Sequence, residues 1–319
     1  MNEWLSVRIS RKQTEAADIV SFKLVSADGS ALPPFTAGSH IDVEVRPDLV
    51  RQYSLCNPSG DDHYLIAVLK EPSSRGGSSG MHELAEGAVI CISAPRNQFP
   101  LVATAAKSLL FAGGIGITPL LSMAETLSLA HSPFILHYCA QSPERMAFMQ
   151  YLQQASYRDN VFMHFDNGAF TQRLAPERVL ATVESGTHIY ACGPAGFIDW
   201  IVATARYAGW PDAQIHLEYF SAQTSPDADA MQSFEVQVAS TGAVFIVEPG
   251  QSITDVLRAN GMYVPTSCEQ GICGTCLTTV IDGIPDHRDN FLTEDERNSN
   301  TLIMPCCSRA KSHRLVLDL

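Results

Sequence analysis

Three cysteines, Cys268, Cys273 and Cys276, fall within nine residues of this 319-residue chain, in the stretch CEQGICGTC. Thiols packed this densely hold a metal or a cluster, or two of them cycle through a disulfide. The spacing C-x4-C-x2-C is that of a plant-type [2Fe–2S] centre, whose fourth thiolate comes from a distant cysteine. Cys306 and Cys307 are the two candidates for it. Two irons bridged by sulfide need four thiolates converging from a loop. Gly271 and Gly274 let the backbone turn tightly and bring amide N–H groups toward the sulfurs. Structural zinc is expected to show two short-spaced pairs, which this pattern fits poorly. A redox C-x2-C at Cys273 and Cys276 leaves Cys268 and the downstream pair without a role.

Such a cluster takes one electron at a time, whereas a nicotinamide gives up two together as hydride. A flavin accepts two and releases them singly, so the chain is expected to hold a flavin site and a nicotinamide site. Gly113-Gly114-Ile115-Gly116-Ile117-Thr118-Pro119 follows an apolar strand. Thr118 reads as a helix N-cap and Pro119 as a first helical residue. Strand, glycine turn and helix start make a pyrophosphate cradle, although Pro119 replaces the third glycine of the dinucleotide fingerprint. Cys192-Gly193-Pro194 repeats the strand-to-helix pattern, and Cys192 read alone is equally a core thiol. After the second strand, Glu144 and Arg145 are placed to choose between a ribose hydroxyl and a 2′-phosphate, or to pair with each other.

These residues need elements to position them, and the chain divides into segments that supply them. Residues 1–102 alternate in short β stretches such as His40–Val45 and Tyr64–Leu69, which predicts an antiparallel barrel or sandwich, the barrel being the expectation for a flavin domain. Residues 103–223 change period. Strands over Ser108–Ala112, Phe134–Tyr138 and His188–Ala191 alternate with helices over Pro119–Leu129, Glu144–Ala155 and Pro194–Ala208, so an α/β domain with a parallel sheet is expected. Residues 224–233, small, polar and acidic, read as a linker. Residues 234–319 open with a hairpin around Thr241-Gly242, then a helix over Ile253–Asn260, then the cysteine loop.

Net charge is −13. A nucleic-acid binder needs basic residues for phosphate, so that class is set aside. The N-terminus lacks the apolar core of a signal peptide. The longest apolar run, Ser108–Met123, is broken by three glycines and a proline, so no membrane span is expected. A cytoplasmic location follows as an expectation, with cysteines that serve as ligands or buried thiols. No H-E-x-x-H or G-x-S-x-G occurs. A Rieske centre needs histidine with cysteine.

The segment from Gly261 to Leu319, with its C-x4-C-x2-C and Cys306-Cys307-Ser308-Arg309, resembles the C-terminal ferredoxin domain of the phthalate dioxygenase reductase family, the reductase components of Rieske-type aromatic oxygenases. The resemblance implies an α+β plant-type ferredoxin domain and selects Cys306, at the head of C-x-S-R, as fourth ligand, with Cys307 a buried thiol in a usually apolar position. Arg51-Gln52-Tyr53-Ser54-Leu55 matches the R-x-Y-S motif of ferredoxin reductase-like flavoproteins. Arg51 is then suited to fork onto a phosphate, Tyr53 to stack on the isoalloxazine, and Ser54 to bond near N5. The loop Ser74–His82, with Arg75, Gly76, Gly77, Ser78 and Ser79, is implied to hold the flavin phosphate at a short helix. Gly114, Gly116, Thr118 and Pro119 belong to the G-G-x-G-x-T-P of the same proteins, with Thr118 near the nicotinamide. Cys192, with Gly193 and Pro194, is implied to lie beside both rings, and Phe220 against the flavin. Catalytic roles fall to Ser54, Thr118 and Cys192. The cofactors implied are FMN, NADH and a [2Fe–2S] cluster, and the partner is a separate Rieske-type oxygenase. Two other functions share these motifs: a stand-alone NADH-dependent acceptor reductase, and a redox or metal sensor.

Overall fold

A computed structural model describes residues 4–47, 49–72, 74, 76–220 and 232–319. Arg75 and residues 224–231 of the expected linker lie outside them. The chain forms two compact units, Met1–Glu218 and Tyr219–Leu319.

The first unit opens with strands β1 (Trp4–Ala16), β2 (Ile19–Ser26), β3 (Ser39–Arg46), β4 (Leu49–Ser54), β5 (Tyr64–Leu69), β6 (Val89–Ser93) and β7 (Arg96–Asn97). Six of them run in the order β4-β3-β6-β1-β2-β5, and β7 pairs with β3. A bridge between Leu55 and Ile66 brings the two edges together, so the antiparallel sheet closes as a barrel. Alternate residues point inward, and Val7, Ile9, Phe22, Leu24, Ile41, Ile66 and Ile92 fill the interior with no exposed surface. Each such side chain contributes about 1.5–3 kcal/mol. Helix α1 (Gly77–Glu83) buries Met81 in the same core.

Strands β8 (Lys107–Gly113), β9 (Phe134–Ala140), β10 (Val161–Phe165), β11 (Thr187–Gly193) and β12 (Ile215–Tyr219) form the second sheet, in the order β10-β9-β8-β11-β12. β8 is parallel to both β9 and β11. The chain leaves β8 in one direction and returns at β11 on its other side. Ligands of open α/β sheets bind outside the carboxyl ends of strands at such a reversal. Helix α2 (Ile117–Leu129) follows β8 and α5 (Ala195–Tyr207) follows β11. Ile198, Ile201, Val202 and Ala205 give α5 one buried face.

One expected helix breaks. Glu144–Ala155 is a 3-10 turn over Pro143–Arg145 and a short α3 (Met149–Gln154). Between them Met146, Ala147 and Phe148 are all buried, and Phe148 takes φ 58. The left-handed backbone at Phe148 cannot be part of a right-handed helix, so the two helical pieces are separate. A further short helix, α4 (Pro176–Val179), packs against α5.

The second unit has strands β13 (Phe234–Val238), β14 (Val244–Val247), β15 (Thr278–Asp282), β16 (Pro285–Asp286), β17 (Leu302–Ile303), β18 (Arg309–Ala310) and β19 (Arg314–Leu317), with helices α6 (Ile253–Ala259) and α7 (Glu294–Ser299). Its mixed sheet runs β14-β13-β19-β15-β17. The Ser252 hydroxyl caps α6 by accepting from Asp255 N at 3.1 Å. Thr293 and Glu296 form a capping box on α7. Leu257, Val236, Ile303, Leu315 and Leu317 are fully buried between helix and sheet.

Candidate functional site

The cysteine loop lies between α6 and β15, and Cys306 sits in the turn after β17. Cys268, Cys273, Cys276 and Cys306 are buried, whereas Cys307 is half-buried. The four sulfurs meet two by two: Cys268 is within hydrogen-bonding reach of Cys273, and Cys276 of Cys306. In each pair one thiol is driven toward its thiolate by its partner's proton, Cys273 in the first and Cys306 in the second. Among the described residues no three potential ligands gather around one point, as a single ion would need. Two facing thiol pairs are what a binuclear cluster needs, one pair for each iron.

Polar groups surround the sulfurs. Gln270 N donates to Cys268 Sγ at 3.3 Å, and Cys273 Sγ donates to Thr275 Oγ1 at 3.2 Å. The Gly271 amide points at Cys306. Gly271 and Gly274 hold φ of 70 and 73. A Cβ at Gly271 would come to 2.4 Å from Cys307 Sγ, and one at Gly274 to 2.4 Å from the Phe291 ring. The Cys307 thiol thus closes the loop from behind, 3.7 Å from Met304 O. In C-x-S-R, Ser308 Oγ accepts from Arg288 N at 3.2 Å. Arg309 is buried, donates to Gln232 O at 2.9 Å and Gln251 O at 3.0 Å, and lies 4.9 Å from the centre of the Phe234 ring. The arginine therefore clamps β18, just after the turn that carries Cys306, to Gln232 and Gln251.

In the first unit, the ends of β8 and β11 meet through glycine. A Cβ at Gly116 would stand 2.2 Å from Cys192 O, and one at Gly193 would stand 2.9 Å from Gly113 Cα. The two turns therefore touch backbone to backbone. Gly114 has φ 56 with open space at its Cβ position. Thr118 and Pro119 differ from expectation. Gly114–Gly116 forms a 3-10 turn and the helix begins at Ile117, so Thr118 is inside the first turn, its hydroxyl donating to Ile115 O at 3.0 Å, and Pro119 is the third helical residue. Proline is tolerated there because that amide has no helical acceptor. Pro194 is the residue before α5 rather than its first.

Cys192, Ser54 and Glu218 come together at the ends of β11, β4 and β12. Ser54 and Cys192 are buried and Glu218 is half-buried. The Ser54 hydroxyl bonds the Glu218 carboxylate, and Cys192 Sγ lies 4.0 Å from Glu218 Oε2. Burial raises Glu218 to about 8, with Ser54 partly opposing it, and raises Cys192 further from ionisation. Burial thus favours the protonated form of both groups. Sequence reasoning passed over Glu218. Its one signal was a lone acid in an edge strand facing the glycine turns.

Arg51 lies against α1, where a Cβ at Gly77 would come 2.8 Å from its Cγ. Arg46, not singled out beforehand, lies against Gly76 in the same way, at 2.6 Å from its Nη2. Two guanidinium groups at one helix start fit a phosphate. Tyr53 is half-buried beside them, and Leu55 is fully buried in the barrel core. Ser78 Oγ accepts from Glu71 N at 3.0 Å and Ser79 Oγ lies 3.3 Å from Ser74 Oγ, so both serines shape the loop itself. Phe220 is half-buried just after β12 and falls in the second unit. The pairing of Glu144 with Arg145 does not form. Arg145 lies 3.8 Å from Asp18, and the Ser142 hydroxyl bonds Glu144.

A barrel with an R-x-Y-S strand, a parallel sheet with two glycine turns and a ferredoxin domain define an electron-transfer oxidoreductase. Residues 236–311 match the 2Fe-2S iron-sulfur cluster binding domain family, and residues 92–215 match the DmmA-like N-terminal domain of dimethylamine monooxygenase subunit. The chain is 51% identical to a vanillate O-demethylase oxidoreductase of Pseudomonas sp. (strain HR199 / DSM 7063), over 99% of this chain and 100% of that one. It is 40% identical to the phthalate dioxygenase reductase of Burkholderia cepacia over 99% and 98%. A solved phthalate dioxygenase reductase, described as a modular structure for electron transfer from pyridine nucleotides to [2Fe-2S], superposes with a TM-score of 0.82 at 39% identity, covering 99% of this chain and 98% of that one. The chain belongs to the phthalate dioxygenase reductase family.

Proposed function

We propose that the protein is the NADH-dependent reductase component of a two-component Rieske-type oxygenase or demethylase. In this reading it draws electrons from NADH, holds FMN and a [2Fe–2S] cluster, and delivers to a separate oxygenase. The observation that carries the reading is the presence in one chain of two facing thiol pairs and of the Ser54–Cys192–Glu218 cluster at the strand reversal. Bound flavin supplies the conversion between a two-electron donor and a one-electron acceptor. The chain's residues do the rest. Arg46 and Arg51 hold the phosphate at α1, and Tyr53 and Phe220 offer aromatic faces. Gly113–Gly116 and Gly193 admit the nicotinamide nucleotide against bare backbone. Ser54, Thr118 and Cys192 line the place of hydride transfer, and Glu218 lies beside Ser54 and Cys192. Glu144 is free of Arg145, which favours a ribose hydroxyl and hence NADH. Cys268, Cys273, Cys276 and Cys306 ligate the cluster.

In this reading the functional domains are residues 1–102, 103–223 and 234–319, with 224–233 between them, and the protein works in the cytoplasm. No helix among the described residues is long and apolar enough to cross a membrane. Residues 234–319 carry 6 basic and 11 acidic side chains, a net −5, which suits docking on a basic face of the oxygenase. Anaerobic titration with NADH, followed by visible absorption and electron paramagnetic resonance, tests the reading. Flavin bleaching and a reduced-cluster signal are expected together, and bleaching alone refutes it. Cys306→Ser is expected to lose iron while Cys307→Ser keeps it. The reverse pattern would move the ligand by one residue.

A further inference from the structure

The cysteine loop rests on a second segment, residues 289–292, which brings a charge behind it. Asn290 N donates to Gly271 O at 2.9 Å. A Cβ built on Gly271 would stand 3.0 Å from Asp289 Cα and Cβ, and one on Gly274 would stand 2.4 Å from the Phe291 ring. Both glycines between Cys268 and Cys276 are therefore backed by the segment that Asp289 opens.

The Asp289 side chain is fully buried. Its Oδ2 accepts from Leu292 N at 2.8 Å and from Phe291 N at 3.2 Å, and its Oδ1 accepts from Ser308 Oγ at 3.4 Å. Ser308 stands two residues past Cys306, so one carboxylate is joined to both ligand-bearing parts of the chain. Holding them together does not require a charge. The oxygen of an asparagine accepts the same two amides, and its NH2 group can meet Ser308. A buried charge is costly unless it is matched, and the match here is loose. Arg297 Nη2 donates to Asp289 O at 2.5 Å but stands 3.8 Å from Oδ2, and its side chain is 37% exposed. His287 Nδ1 is 3.7 Å from Oδ1 with no hydrogen-bond partner, and burial lowers that ring toward its neutral form.

We infer that Asp289 sets the reducing power of the cluster: its negative charge, held behind Gly271 and away from water, disfavours the electron-loaded form and lowers the reduction potential. Loading the centre adds one electron, so a nearby fixed negative charge weighs against the reduced form more than the oxidised one. Net charge and solvent exposure are among the factors that set such potentials. An electron held there is then given up more readily to the acceptor that follows. Arg297 acts in the opposite sense and more weakly, because water and salt reach it. Asp289 is a positioning residue for the loop, and its charge gives it this second effect.

This inference rests on the reading of the four thiols as ligands of a [2Fe–2S] cluster, and the test separates the two. Holoenzyme is titrated anaerobically with dithionite and mediator dyes, and the reduced cluster is followed by electron paramagnetic resonance. In Asp289→Asn the ratio of reduced to oxidised cluster at a fixed potential is expected to rise about tenfold, equivalent to about 59 mV for one electron, with iron content unchanged. In Arg297→Gln the ratio is expected to fall about threefold, and the double variant to lie between the singles. Loosened packing alone would not move the two in opposite directions. The Asp289→Asn shift is expected to persist in about 0.5 M salt, where the Arg297→Gln shift shrinks. An unmoved or lowered potential in Asp289→Asn, or two singles shifted in the same direction, overturns the inference alone. Should Asp289→Asn lose its iron, Arg297→Gln decides: a lowered potential supports the inference, and an unmoved or raised one overturns it. A parent protein with no reduced-cluster signal overturns the functional reading with it.

Discussion

Gly271→Ala probes the cluster loop at its tightest point. Two costs can be worked from the structure. At φ 70 an L-residue pays about 1–2 kcal/mol against glycine. The added Cβ also arrives 2.4 Å from Cys307 Sγ and 3.0 Å from Asp289 Cα and Cβ. The thiol can move only by leaving its rotamer, about 0.5–1.5 kcal/mol, and the Asp289 backbone has less freedom because that carboxylate accepts from Leu292 N at 2.8 Å. The single variant is therefore expected to lose about 2–4 kcal/mol in the second unit and to hold its cluster weakly. Cys307→Ala removes the closest obstacle. The double variant Gly271→Ala/Cys307→Ala should recover about 1 kcal/mol of the loss, a coupling readable in a double-mutant cycle. Guanidinium unfolding followed by visible circular dichroism of the cluster measures both. A double variant no more stable than the sum of its singles refutes the packing role given to Cys307. A Gly271→Ala protein as stable as the parent refutes the loop geometry itself.

Three further outcomes are expected. Gly116→Ala drives a methyl to 2.2 Å from Cys192 O and must part the two turns, so the NADH dissociation constant should rise at least about tenfold with little change in cluster content, as measured by fluorescence titration. Glu218 is raised to about 8 in the fold from a reference of 4.5, so the folded protein binds more protons than the unfolded one between those values. Stability of the cofactor-free protein should then fall as pH rises from about 4.5 to about 8, and Glu218→Gln should flatten that slope in thermal melts. Arg309→Met removes the two carbonyl bonds at 2.9 and 3.0 Å that tie β18 to Gln232 and Gln251, and should cost the second unit about 3 kcal/mol by denaturant unfolding.

What was legible in the sequence is what repeats over several residues. Alternation in Tyr64–Leu69 and the continuous apolar run of Ser108–Ala112 marked strands, because burial on one or both faces dictates residue type at every position. β10 and β12 were missed as sheet strands. They are edge strands, half-buried, carrying His164, His216 and Glu218, and their composition follows side-chain contacts rather than a period. The broken helix at Met146–Phe148 was hidden because an apolar trio satisfies a helical pattern and an irregular one equally. Site residues divide the same way. Glycines at forced approaches, Gly116 and Gly271, stand out by type. Glu218 and Arg46 have ordinary types at ordinary spacings, and only the fold brings one beside Ser54 and Cys192 and the other to the start of α1.

The thiol arrangement shows why that division matters for function. C-x4-C-x2-C with Cys306-Cys307 leaves the choice of fourth ligand open by one residue, and no count of spacings closes it. Three contacts of the fold bear on it. Arg309 fixes β18, the Gly271 amide aims at Cys306, and the space behind that glycine admits the Cys307 sulfur and little else. Cys306 meets Cys276, and Cys307 lies within reach of both Cys306 and Met304 O. A larger side chain at 307 would press on Gly271 and tilt the loop, whereas a smaller one would leave a void. Cys307→Ser therefore tests more than chemistry. Its hydroxyl is smaller than the thiol and seeks a stronger acceptor, so retention of the cluster at somewhat reduced stability is the outcome that a packing role requires.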